Sequence, residues 1–146
     1  MNRALCIVAA VTAAVFAQGA SADGCTTLGY SGGPLASAGI VAALSGKRVQ
    51  ASGGTEDWNE DHCVGGDLYR VGDGTAVDPR VKEGTWTSAS NTATYNYTGG
   101  SSYGWSLYQD VTNFPLAPLC WEQTSGGGAI VTVTGKTTGS AGSPCN

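Results

Sequence analysis

Seven consecutive residues, Glu56-Asp57-Trp58-Asn59-Glu60-Asp61-His62, hold four of the chain's eleven carboxylates and its only histidine. Carboxylate oxygens suit Ca2+, and an imidazole beside a glutamate suits a transition metal. A carboxylate next to His62 also suits general acid–base work, which gives a hydrolase reading built on Glu60, Asp61 and His62. The plainer reading is a solvated acidic loop from Gly53 to Cys63, anchored to the body by Trp58 and Cys63. One histidine is too few for an ordinary zinc site, and the spacing fits no calcium loop. No metal and no cofactor are expected. Asp67, Asp73 and Asp78 form a second spaced set, but Asp73-Gly74 and Asp78-Pro79 are turn dipeptides. The chain has no Gly-x-Ser-x-Gly elbow. Neither Gly99-Gly100 nor Gly126-Gly127-Gly128 is followed by Lys-Ser/Thr, so both read as turns and not as phosphate loops.

The aromatic residues are the other candidates: Trp58, Trp86, Trp105 and Trp121, with Tyr69, Tyr95, Tyr97, Tyr103 and Tyr108. Converging inside a barrel, they would line a small-ligand cavity. On one outer face, they would stack on sugar rings or meet a protein partner. The alternative is that they simply form the core of a chain poor in Leu and Phe. The ligand-binding candidates are Trp58, Glu60, His62, Trp86, Tyr95 and Trp105, with Trp86, Tyr95 and Trp105 at a barrel mouth. In a second mode, Trp58 and the acidic loop plug a partner enzyme, as a small periplasmic inhibitor would. Asn96-Tyr97-Thr98 fits the N-glycosylation pattern but falls mid-strand, and is discounted.

These residues must be held by a chain of 146 residues, enough for one domain. Met1 to Ala22 reads as a signal peptide. Arg3 gives the positive start, Ala4 to Ala17 the apolar run, and Ala20-Ser21-Ala22 the cleavage site. The run is too short to span a bilayer, so no membrane span is expected after cleavage. A lipid-modified Cys25 is the weaker alternative, because Ala22-Asp23-Gly24 fits a lipobox poorly. Removing 22 residues leaves 124, with six basic and eleven acidic side chains. That net charge of -5 argues against a nucleic-acid binder and would steer the protein toward a basic partner. Cys6 leaves with the signal. Cys25, Cys63, Cys120 and Cys145 remain, an even number that reads as two disulfides in an exported chain. Three pairings are open, and the expectation is Cys25–Cys63 with Cys120–Cys145, each end tied to its nearer neighbour.

Residues 23–43 read as an irregular arm, with a short helix expected over Ala36 to Leu44. Residues 44–146 read as the β domain. Strands are expected over Lys47 to Ser52 (Val49 inward), Asp67 to Val71, Glu83 to Ser88, Thr92 to Thr98, Ser102 to Tyr108, Leu119 to Thr124 and Ala129 to Thr134. The clearest is Thr92 to Thr98, where Ala93, Tyr95 and Tyr97 alternate with polar residues. Ser90-Asn91 makes a tight turn, and Gly139 to Asn146 a tail. About seven short antiparallel strands in meander order give an all-β fold, a small up-and-down barrel or a tight β-sandwich, stapled by disulfides.

One ordered set of short motifs resembles a family of small exported bacterial β-barrel-like proteins of unknown function. It comprises Leu44-Ser45-Gly46, Trp58-x-Glu60-x-His62, Gly66-x-Leu68, Val77-Asp78-Pro79, Gly84-Thr85-Trp86 and Thr94-Tyr95-x-Tyr97-x-Gly99-Gly100-Ser101-Ser102-Tyr103. The resemblance covers residues 44–120. It implies export and an all-β fold, and carries over no site residue. The family often has a Cys near the position of Gln50; here that Cys is absent and Cys63 stands in the acidic stretch. The resulting expectation is an exported, periplasmic or extracellular, monomeric, non-catalytic protein that binds a small ligand or an envelope protein.

Overall fold

The computed structural model describes residues 24–71, 80–125, 132–143 and 145. The expected signal segment, the turns at 72–74 and 78–79 with Asp73 and Asp78, the glycine turn at 126–128 and the start of the last expected strand at 129–131 lie outside the described residues.

Among the described residues, the helix α1 (Ser37–Leu44) precedes β1 (Lys47–Gly53), β2 (Glu56–His62), β3 (Asp67–Val71), β4 (Val81–Ala89), β5 (Thr92–Tyr97), β6 (Ser102–Gln109), β7 (Leu119–Ser125) and β8 (Thr132–Ser140). Each strand pairs antiparallel with its sequence neighbour, and β8 returns to β1, so the sheet is a closed barrel of eight strands among the described residues. Closure leaves no strand edge exposed.

The strand beyond the expected seven is β2, where an acidic loop was anticipated. It pairs with β1 along its whole length, from Lys47 opposite His62 to Gly53 opposite Glu56. Its sequence hides it because both faces are polar. Trp58, Glu60 and His62 point inward by alternation. Asp61 points outward yet is fully buried, held by Arg48 through two bonds of 2.8 and 2.9 Å and by Arg80 at 2.6 Å. The last strand also runs further than expected, to Ser140. Its Gly135–Ser140 stretch has no apolar alternation, but β1 pairs with it across that length.

Up-and-down topology puts the 63–66, 90–91 and 110–118 connections at one end, together with the chain segments before β1 and after β8. That end is closed. The helix α1, expected from the small apolar run, sends Ile40 and Leu44 fully into the core. It has no side-chain cap of its own. The β4–β5 turn supplies one: Asn91 Oδ1 accepts the Ser37 N–H at 3.2 Å, and Ser37 Oγ accepts the Asn91 N–H at 2.9 Å. This satisfies a helix donor that would otherwise be orphaned. Ser90 and Asn91 both have positive φ, 50° and 61°, as a tight two-residue hairpin turn requires.

Two disulfides staple the same end, but not in the expected pairing. Cys25 bonds Cys120 and Cys63 bonds Cys145, with Cα separations of 5.9 and 4.8 Å. Closure of the barrel decides this. The arm lies along the β6–β7 connection, where Tyr30 stacks on Phe114 at 4.1 Å and Asp110 accepts the Ser31 hydroxyl at 2.8 Å. The tail leaves β8 beside the β2–β3 turn, with the Ala141 N–H donating to Gly46 at 2.9 Å. Nearness in sequence carries no information once distant strands are neighbours. No helix among the described residues is long and apolar enough to cross a membrane.

Candidate functional site

Inside the barrel, polar groups are stacked in a column on β2 and its facing strands. The lowest is His62, fully buried above the closed end. It meets Trp86 and Tyr95 edge-on, with ring centroids 5.4 and 5.6 Å apart. Its Nε2 lies 3.0 Å from the Tyr95 hydroxyl, which also accepts the Trp121 indole N–H at 3.1 Å. Trp86 donates its own N–H to the Cys63 carbonyl at 3.1 Å. Burial pulls the His62 pKa down to about 3, so the ring is neutral. Its Nδ1 has no hydrogen-bond partner among the described residues. The 4.0 Å approach of Glu60 to Nε2 is therefore a contact with a neutral ring, not an ion pair.

Glu60 sits next above, toward the end of the barrel away from α1, the mouth. A cleft of about 210 Å3 is bounded by Glu56, Trp58 and Glu60 of β2, Arg70 of β3, Glu83 of β4 and Tyr97 of β5. Trp58, Glu60 and Tyr97 also line a narrower recess of about 30 Å3 that reaches down to Tyr95, Trp105 and Trp121. Local structure explains the placement. Arg70 is directly opposite Glu60 in the β2–β3 ladder. Leu68 and Arg70, two residues apart on β3, share the inner side, Leu68 in the core and Arg70 in the cleft. Between β3 and β4 the register shifts: Leu68 pairs with Gly84 and Tyr69 with Lys82, so Glu83 is skipped. Such a bulge re-aims a side chain. Here the Glu83 carboxylate comes within 3.8 Å of the Arg70 guanidinium. Two glycines clear space for the indoles. A Cβ on Gly53 would stand 3.1 Å from the Trp58 ring, and one on Gly135 would stand 3.1 Å from the Trp121 ring.

The electrostatics of the mouth are dominated by a carboxyl taken out of water. Burial pushes the Glu60 pKa up to about 7, and the Glu83 charge adds to this. The Trp58 indole N–H and the Arg70 charge work the other way. Arg70 is engaged with Glu83, and no Lys or Arg among the described residues pairs with Glu60. Tyr97 is held well above the usual phenol range, by burial first and then by Glu60 and Glu83. Its hydroxyl stays protonated. Chemically, the mouth offers aromatic faces, a neutral phenol and one poorly compensated carboxyl.

No family model, curated protein or solved structure matches this chain. The motif resemblance over residues 44–120 gains no support from these comparisons, and the mouth is read from its geometry.

Of the residues singled out in the sequence, Trp58, Glu60, Tyr95 and Trp105 do come together around the mouth. His62 and Trp86 are separated from it. They lie beneath, fully or almost fully buried, and hold one another and Tyr95 in place. The acid–base constellation of Glu60, Asp61 and His62 is not assembled, because strand alternation turns Asp61 to the outer face against two arginines. Trp58 packs inward against the core, so it does not protrude as a plug. Among the described residues no group of three or more His, Cys, Asp or Glu is placed to hold a metal ion. The ligand-binding set read from the sequence omitted Arg70 and Glu83, and also Glu56, Tyr97 and Trp121, which had been named only within the acidic segment and among the aromatic candidates. Tyr97 was within reach, since it continues the inward alternation of Ala93 and Tyr95. Glu83 was not, because its inward turn depends on a bulge.

Proposed function

We propose that the protein is an exported, non-catalytic binding protein that takes a small ligand in the cleft at the end of its barrel away from α1. The observation carrying this reading is Glu60, a carboxyl 8% exposed, set among Trp58, Tyr97 and Trp105 at the one end of the barrel that α1 does not close. A purely structural barrel gains nothing from a desolvated carboxyl without a cationic partner, and natural cores rarely keep one. Functional sites commonly do. The cleft is smaller than the roughly 300–1,000 Å3 typical of drug-sized ligands, so a headgroup or small metabolite suits it. The leader-like N-terminus and the two disulfides support export to the periplasm or beyond the cell.

Four tryptophans give a direct test, because each indole N–H has its own resonance. A panel of small ammonium compounds, carboxylates and sugars is titrated into the isotope-labelled protein. Shifts confined to the Trp58, Trp105 and Trp121 indoles, with Trp86 unmoved, are expected. No shift at these three with any member of the panel overturns the reading.

A further inference from the structure

We infer that the ligand of the mouth is an organic ammonium ion, its charge resting against the Glu60 carboxylate and its alkyl groups against the Trp58 and Tyr97 rings. This rests on the mouth being a ligand site and names the chemistry it selects. Three observations carry it.

The first is the charge of the walls. Glu56, Glu60 and Glu83 face the cleft against a single guanidinium, Arg70, and that guanidinium is already engaged with Glu83. An anionic ligand would meet net repulsion. A neutral ligand would leave the buried carboxyl to hold a proton, whereas a cation compensates the carboxylate directly. The second is the kind of wall. Indole and phenol faces carry negative quadrupole charge and attract a cation directly above them, with the effect growing as water is excluded. Aliphatic side chains would have served a neutral apolar ligand equally well, but only Ala51 and Val133 line the recess beside the aromatic rings. The third is rigidity. Tyr95, beneath the recess, is fixed by the Trp121 N–H and His62, and Trp58 fills the space left by Gly53. A preformed cup loses little freedom on binding.

Protonation then competes with the ligand. The groups facing Glu60 are Glu56 and His62 on its own strand, Arg70 on β3, Glu83 on β4, and Tyr95 and Tyr97 on β5. His62 is neutral, Tyr95 and Tyr97 are held protonated, and Arg70 and Glu83 offset one another. Glu60 is left as the group that titrates near neutrality, at about 7. A ligand that keeps its charge throughout should bind about tenfold more tightly at pH 8 than at pH 6.

The experiment uses choline, tetramethylammonium and 3,3-dimethylbutan-1-ol, the neutral isostere of choline. Each is titrated by calorimetry and by indole shifts against the full mature protein, Glu60→Gln and Trp58→Leu. Binding of the two cations at the mouth indoles, at least tenfold weaker binding of the neutral isostere, and at least a tenfold loss in Glu60→Gln are expected. Trp58→Leu should weaken both cations and, because the Trp58 N–H holds the Glu60 carboxyl down, move the pH dependence upward. Equal binding of the alcohol and choline overturns the ammonium assignment and leaves the mouth as a site for neutral ligands. Mouth shifts with carboxylates or sugars, but with neither cation, overturn it too. Silence of the mouth indoles toward every probe overturns both this inference and the reading beneath it.

Discussion

Replacing Glu60 with glutamine should stabilise the protein at pH 8 and leave its stability at pH 4 nearly unchanged. The unfolded chain releases this proton near 4.5, while the folded chain holds it to about 7. Between those two values the folded state binds more protons than the unfolded state, so stability falls as pH rises, and it levels off above the folded value. The gap corresponds to about 3 kcal/mol. Glutamine matches the shape of the neutral acid and can still accept the Trp58 N–H, so the variant escapes this loss. Other groups have opposite slopes. His62, with its pKa lowered to about 3, contributes stability that is full above about 6.5 and is lost as pH falls toward 3. Asp61 and Asp110, both lowered, contribute stability lost in more acid solution. All three are present in both proteins, so the difference curve isolates Glu60. Urea unfolding of wild type and variant at half-unit steps from pH 4 to pH 8.5 gives that curve. A 13C titration of the Glu60 carboxyl gives the midpoint independently. Stability curves that stay parallel within about 0.5 kcal/mol, or a carboxyl midpoint near 4.5, would refute the claim that this group is desolvated.

Tyr95→Phe removes the hydroxyl shared by His62 and Trp121 and leaves two buried polar atoms without a partner; thermal or urea unfolding should show a loss of about 2–4 kcal/mol. Asp61→Ala leaves Arg48 and Arg80 facing an empty outer face; the expected cost is about 3 kcal/mol, at the low end for a buried pair because Arg48 remains a third exposed. Mass mapping of an unreduced digest should recover Cys25–Cys120 and Cys63–Cys145 peptides. Replacing Cys63 and Cys145 together by serine opens a link across 82 residues, and urea unfolding should register about 2–5 kcal/mol. Asp110 accepts N–H groups from Asn113 and Thr112 and the Ser31 hydroxyl, which hold its carboxyl below the usual range. Asp110→Ala should lower the melting temperature at pH 6 and flatten the acid limb below about pH 4.

The legible parts of this fold are those whose inward residues are apolar and whose outward residues are not. Ala93, Tyr95 and Tyr97 announce β5, Trp86 announces β4, and Ser90-Asn91 marks the turn between them. The helix was legible from small apolar residues ending at Leu44. By contrast, β2 turns Trp58, Glu60 and His62 inward, and two of these three are polar, so no period-two pattern survives. Its polar groups are tolerable only because residues far away in sequence meet them: Arg80 for Asp61, Tyr95 for His62. The disulfide pairing failed for the same reason. For the site, the aromatic rings and carboxyls around Glu60 were visible in the sequence as residue types. Their grouping was not, since Arg70 and Glu83 enter through cross-strand register and a bulge that composition does not encode.

Closure of the barrel by β1 and β8 has a consequence for how the chain can fold as it emerges. Residues 47–52 must wait for residues 134–140 before their outer ladder is filled. Until then β1 presents an open edge, the kind of surface that recruits other chains. The neighbouring hairpins can form locally and early, but the seam is a pairing of high sequence separation and belongs to the slow class of folding events. A chain released stepwise through a membrane channel would therefore complete its fold only when almost all of it is out. Truncations that remove β8 should then be lost to aggregation, because they leave a sheet with two unpaired edges and α1 with no finished barrel to close.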